Sequence, residues 1–302
     1  MSINPACCRQ KDKERDKKME ENNNMLVRNT DTESDIIFVE DGVTEIGDFA
    51  FRGCAAKEII LPDSVESIQQ CAFADCKKLE KIVFGKGLEY CDDDIILGSP
   101  VQEIVWTKPI ELEEDPAFRS LLYSLIREED AVYYPHPEKK YDVLKRFLRT
   151  GKPQRTFLLT YNGRSVRLPR YICSYLHRLM ISDTAYNCLT KNGNAYYEYR
   201  NLHSCLSDFQ NRVSVATEWY VMDNLECAKD YLIIHATLIT KRMTEEADDE
   251  TLAMYLNLGL LSDKDLQKTL QWASEKNMPA SVAYILDQMR KRGLKAKTEL
   301  AL

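Results

Sequence analysis

Two stretches of this 302-residue chain are near copies of each other: "VTEIGDFAFRGC" begins at Val43 and "VESIQQCAFADC" begins at Val65, 22 residues later. A blurred third, "LEYCDDDIILGS", begins at Leu88, a further 23 residues on. A fixed period of this length constrains the fold strongly. One such unit cannot bury its own apolar flank, so neighbours of the same shape must stack on it. Between the copies lie short apolar runs, "IIFV", "IIL", "IVF" and "IVW", bounded by turn residues, which read as strands. Aligned on Phe38, Leu61, Phe84 and Trp106, they recur at intervals of 23, 23 and 22. The expected arrangement is a parallel stack at about 4.8 Å per coil, with these four side chains one above another. Pro62 has no N–H to give the ladder and closes its strand.

The segments between strands return the chain along the outside. Ile46 and Ile68 are expected to point inward, as are the pairs Ala50–Phe51 and Ala72–Phe73, with Cys54 and Cys76 at equivalent core positions. The run "VTEIGDFAFRGC…IILPDSVESIQQCAFADCKKLEKIVF" closely resembles leucine-rich repeats of the BspA-like type: an Ile-Gly, an Ala-Phe, a Gly-Cys, then an Ile-rich strand ending in Pro. The resemblance covers residues 35–107 and weakens in the third copy, where Ile95–Ile96 replaces Ala-Phe and Ser99 replaces the cysteine. It implies a curved solenoid used for protein binding, often on a bacterial or parasite surface.

Strand alternation turns a choice of core residues into a choice of surface residues. With Ile36 and Phe38, Ile59 and Leu61, Ile82 and Phe84, and Ile104 and Trp106 inside, the outward row becomes Ile37, Ile60, Val83 and Val105. Asp35, Glu58, Lys81 and Glu103 run beside it. A solvated strand face is normally polar, so four stacked aliphatic side chains mark a contact strip. The expected partner-binding residues are therefore Ile37, Ile60, Val83, Val105, Glu58, Lys81 and Glu103. The alternatives are that β-branched residues simply favour strands, or that the chain's own helices cover the strip.

Charge is distributed unevenly about the net −7. Residues 35–107 carry 6 basic and 15 acidic side chains, and residues 108–212 carry 17 and 12. The acidic repeats could therefore meet a basic protein partner or the chain's own basic segment. Four parts are expected: a disordered charged tail over 1–34, the solenoid over 35–107, a mainly helical middle over 108–212 and helical hairpins over 213–302. The fold class is α/β, a short leucine-rich-repeat solenoid with a small parallel sheet followed by a larger, mainly α-helical region. Asp115–Pro116, Gly151, Ser262, Gly259, Pro279 and Gly293 stand where helices start or stop. Asn162–Gly163 is a hairpin turn pair. The run "NLECAKDYLIIHATLITKRM" is long enough for one buried helix, and residues 181–208 give no readable pattern. The unit "TLAMYLNLGLLSDKDLQKTLQWASEKNMPASVAYIL" resembles the helical hairpins that follow such repeats in bacterial leucine-rich-repeat proteins, and is loosely ankyrin-like.

Chemistry is sparse. Phosphate-loop, dinucleotide, zincin and nucleophile-elbow motifs are all missing, and "FGKGLEY" fits a solenoid turn. Cys54, Cys71, Cys76 and Cys91 all replace core positions and form no C-x-x-C pair, so no metal and no cofactor is expected. Cys173 with His177, and His203 with Cys205, are Cys/His pairs by proximity alone, and His235 lies in an apolar helical run. No enzyme activity is expected. Arg164, Arg167, Arg170 and Arg178, interleaved with Tyr171 and Tyr175, form the alternative site, a single-stranded nucleic-acid surface. The net acidic charge argues against it. The N-terminus lacks the apolar core of a signal peptide, Met1, Met19 and Met25 are all candidate starts, and no run is long enough to span a bilayer. The ten cysteines read as reduced thiols of a cytoplasmic protein without a membrane partner.

Overall fold

The computed structural model describes residues 19–22, 24–29, 31, 33–110, 115–128, 141–191, 195–206, 208–246 and 248–295. The chain divides into two compact units, one of residues 1–128 with 157–193 and the other of residues 129–156 with 194–302. The expected boundaries at 107/108 and 212/213 thus fall inside units, and the chain passes between the two more than once.

The first unit is the solenoid. Strands β1 (Met19–Asn22) and β2 (Met25–Asn29) pair antiparallel, so part of the segment expected to be a disordered tail is an ordered hairpin. Residues 1–18 lie outside the described residues. β2 then starts a parallel ladder with β4 (Glu45–Ile46), β6 (Ser67–Ile68) and β8 (Tyr90–Cys91). Its inward rungs are Leu26, Ile46, Ile68 and Cys91, all buried. The larger sheet is built from β3 (Ile36–Phe38), β5 (Glu58–Ile60), β7 (Lys81–Phe84) and β9 (Glu103–Trp106), all parallel.

The register of the first coil differs from the one expected. Ile37 pairs with Ile59, and Phe38 pairs with Ile60. The stacked inner row is Ile37, Ile59, Ile82 and Ile104, each no more than 3 % exposed. Two residues on, Val39, Leu61, Phe84 and Trp106 are buried as well. Phe38 therefore does not stack with Leu61, Phe84 and Trp106. It stands outside at 48 % exposure, beside Ile36 at 47 %. In a strand, a slip of one residue exchanges the two faces, so Ile37 moves from the expected surface row into the core.

The return segments obey the repeat closely. Phe51 and Phe73 stack at 5.3 Å. Phe49, Cys71 and Asp94 all take positive φ at intervals of 22 and 23, as do Gly53, Asp75 and Gly98. Asp tolerates this left-handed geometry better than most side chains. The Cys76 thiol donates to the Phe51 carbonyl at 2.9 Å, and in the next coil the Ser99 hydroxyl donates to the Phe73 carbonyl at 2.6 Å. Ser99 therefore performs the role of the cysteine it replaces. At Gly85 and Gly87 an added Cβ would lie 2.0 Å from the Pro62 carbonyl oxygen and 2.1 Å from that of Asp63. The "FGKG" glycines thus serve the close approach of successive coils.

Helix α1 (Pro116–Leu125) is started by the Asp115 carboxylate, which accepts from the Ala117 and Phe118 amides. It packs on β8, where the Ser120 hydroxyl accepts from the Cys91 amide at 2.7 Å and donates to the Cys91 carbonyl at 2.8 Å. That one side chain satisfies both backbone groups a further coil would have taken. Phe118 extends the Phe84–Trp106 column at 5.9 Å from Trp106. β10 (Arg127–Glu128) pairs with β13 (Tyr171–Ile172). β11 (Thr156–Tyr161) adds to β9 in parallel, and β12 (Arg164–Pro169) closes the six-stranded sheet. The turn between them has Asn162 and Gly163 both at positive φ, as a two-residue hairpin requires. Helix α3 (Arg178–Thr190) packs against β12.

The second unit is helical. Helix α2 (Asp142–Thr150) ends at Gly151 in the left-handed conformation. After it come α4 (Ala195–Ser204), α5 (Phe209–Asp223), α6 (Glu226–Ile234), α7 (Ala236–Glu245), α8 (Asp249–Leu256), α9 (Asp263–Glu275) and α10 (Pro279–Lys291). α3 and α4 occupy most of the stretch that gave no readable pattern. The single helix expected across residues 224–243 is broken at His235, where ψ is 6° and Ile234 is 76 % exposed. The later helices pair as hairpins: the Asp249 carboxylate accepts from the Ala280 and Ser281 amides and from the Ser281 hydroxyl, fixing the start of α10 against α8. Among the described residues, no helix is long and apolar enough to cross a membrane.

Candidate functional site: the outer face of the repeat sheet

The buried row fixes what lies outside. Phe38, Ile60, Val83 and Val105 are in register on the outer face, and Thr160 of β11 continues the row. Ile60, Val83 and Val105 are half-buried, while Phe38 is exposed. The flanking row runs Ile36, Glu58, Lys81, Glu103 and Leu158. Lys81 lies 3.3 Å from the Glu58 carboxylate and 4.0 Å from that of Glu103. At this exposure such contacts order side chains more than they stabilise the fold. Of the residues predicted from sequence, Ile60, Val83, Val105, Glu58, Lys81 and Glu103 share this face. Ile37 does not, and Phe38 takes its place.

The alternative arginine site is not assembled. Arg167 and Arg170 are 5 % and 9 % exposed. The Arg170 guanidinium donates to the Val101 carbonyl and lies over the Phe157 ring. Arg178 is stacked 3.9 Å over Tyr175 and 5.0 Å from the Tyr123 ring centre. Only Arg164 is exposed, and it donates to the Lys191 carbonyl. The sequence pattern placed four guanidiniums in one run, but an alternating strand and a helix start direct them to different environments.

The thiols and imidazoles behave mostly as core groups. Burial pushes the Cys76 thiol up to about 11 and raises those of Cys54, Cys71 and Cys91. None of these is poised to act as a thiolate. No cluster of three or more metal-ligating side chains exists among the described residues. Cys173 and His177 do meet, Sγ to Nδ1 at 3.3 Å. His203 donates from Nε2 to the Arg212 carbonyl, and the Cys205 thiol donates to the Asn201 carbonyl.

Residues 28–124 match the family model described as BspA type Leucine rich repeat region (6 copies). This segment is a BspA-type leucine-rich-repeat region. Comparison with curated proteins and with solved structures found no match. The matched span begins at the end of β2, just after the Leu26 rung, and ends in α1, so it takes in the capping helix as well as the repeated copies. A leucine-rich-repeat region of this kind is, in general, a protein-interaction repeat module.

Proposed function

We propose that the outer face of the six-stranded sheet docks a protein partner, and that the chain is a non-enzymatic, cytoplasmic interaction module. The observation that carries this reading is the stacked row Phe38, Ile60, Val83 and Val105, an apolar strip on a face where a solvated sheet would be polar. Glu58, Lys81 and Glu103 border it, and the repeat region bears 15 acidic against 6 basic residues over 35–107. The partner fitting this surface presents apolar anchors within a basic surround.

The test is capture from the native host with the wild-type chain and with the double variant Ile60→Asp, Val83→Asp. Capture by the wild type should persist in high salt, because the anchors are apolar, and the double variant should lose it. The melting temperature of the variant should fall by less than about 4 °C, as for substitutions outside the core. A collapse of the melting temperature would mean that the strip is internal, and undiminished capture would place the partner elsewhere.

A further inference from the structure

Within the second unit, α4, α5 and α6 enclose a cleft of about 280 Å³. Its walls are mainly rings: Tyr199 and His203 from α4, Trp219 from α5, and Tyr231 and His235 at the end of α6. Their mutual angles are steep. Tyr199 meets Trp219 at 82° and 5.1 Å, and His203 meets Tyr231 at 66° and 4.3 Å. His203 meets Trp219 at 54°. A slot for a flat heteroaromatic ligand needs two parallel rings held apart by the thickness of a third. The least tilted of these pairs, Tyr231 and His235 at 32°, is already in contact at 4.2 Å. Tilted rings instead suit a rounded hollow: His203, Tyr231 and His235 are half-buried at its wall, while Tyr199 and Trp219 are nearly covered behind them, and aromatic rings around a hollow can hold a compact organic cation.

The charged groups around the hollow are of both signs, Arg212 acting on His203 and, with Arg242, on Tyr231. His203 is held neutral, because burial lowers its ring to about 4 and its Nε2–H is donated to the Arg212 carbonyl at 3.2 Å. His235 donates from Nδ1 to the Tyr231 carbonyl at 2.9 Å. Asp230 brings a carboxylate to the lining, and Arg200, an exposed residue, brings a guanidinium. Together they offer a site for one positive and one negative group on the same small molecule. We propose that this cleft binds a small zwitterion of the betaine type, its methylated ammonium head among the rings near Asp230 and its carboxylate on Arg200.

Calorimetric titration of the full chain tests this with three probes: glycine betaine, its uncharged-head isostere 3,3-dimethylbutanoate, and choline, which lacks the carboxylate. Betaine should bind saturably at one site, and the isostere about tenfold or more weakly, since only the cation gains from the ring quadrupoles. Tyr231→Leu and Asp230→Asn should each weaken betaine, while Tyr231→Phe, which keeps the ring, should not. Arg200→Gln, at an exposed position that leaves the fold intact, should lower betaine to the affinity of choline and leave choline unchanged. No saturable heat with betaine up to ~50 mM would overturn the proposal, because binding that weak is no specific site. So would an isostere that binds as tightly as betaine, which would reduce the cleft to an apolar hole.

Discussion

Glu218→Ala is expected to destabilise the second unit by about 3–5 kcal/mol, the cost of stripping partners from buried polar groups. Glu218 lies in the middle of α5 with no exposed surface. Its carboxylate accepts from the Gln154 amide at 2.7 Å, the Arg155 amide at 2.9 Å and the Thr156 hydroxyl at 2.7 Å. These three consecutive residues lead from the left-handed end of α2 into β11, so one side chain fixes the entry to that strand. Alanine would take this acceptor from the buried Thr156 hydroxyl and from the half-buried Gln154 and Arg155 amides. Glu218→Gln keeps one acceptor oxygen and should lose about 1–2 kcal/mol, less than half as much. Urea unfolding followed by tryptophan emission is the readout, since Trp219 is the next residue and is 1 % exposed. Equal, small losses for both variants would show that the segment is held by something other than this carboxylate.

Phe73→Ala should destabilise the solenoid by a similar amount, about 3–5 kcal/mol, through lost transfer free energy and the cavity left behind. Phe73 is fully buried and stacks on Phe51 across the coil boundary. Its backbone is fixed on both sides: the amide donates to the Ile95 carbonyl, and the carbonyl accepts from the Ser99 hydroxyl. A hole there cannot be closed by moving the chain. Because each coil contacts only its neighbours, the loss should appear as early protease cleavage in the flanking coils and not as uniform softening. Phe73→Leu, which retains most of the volume, should recover more than half of the stability. A Phe73→Ala variant that melts with the wild type would mean that the coil interior is not the packed column described above.

Much of this fold was legible because the same physical demand recurs. The Ala-Phe pairs, the cysteine positions and the left-handed turn residues repeat at 22 and 23 because successive coils must superimpose. Helix ends were legible where a single residue type does the work, as at Asp115, Gly151 and Ser262. The first strand was misread because "IIFV" is apolar throughout and hides the alternation that reveals a face. A longer-range signal was present. The inner isoleucine stands six residues before the return segment in each copy, Ile37 before Val43, Ile59 before Val65 and Ile82 before Leu88. A constant offset is what stacking requires, and alignment on Phe38 breaks it.

Other features could not be seen locally. The β2 rung has only Leu26 to mark it in a stretch of charged and amide residues, and its partner Ile46 lies in another coil. The break at His235 falls in a run with helical composition on both sides. Burial of Arg167 and Arg170 is fixed by the closing strand of a sheet begun more than a hundred residues earlier. The ring-lined cleft gathers residues from three helices that share no motif.

The central claim is that the coil interior is the row Ile37–Ile59–Ile82–Ile104 and that the docking face is the row beginning with Phe38. The most direct measurement compares the thermal unfolding of Ile37→Thr with that of Phe38→Thr, neighbours in one strand given the same strand-favouring side chain. Ile37→Thr should cost about 2 kcal/mol or more, because it buries a hydroxyl in the stacked core. Phe38→Thr should cost less than about 1 kcal/mol despite removing the larger side chain. If Phe38→Thr proved the more damaging of the two, the faces of the sheet would be reversed and the docking surface described here would not exist.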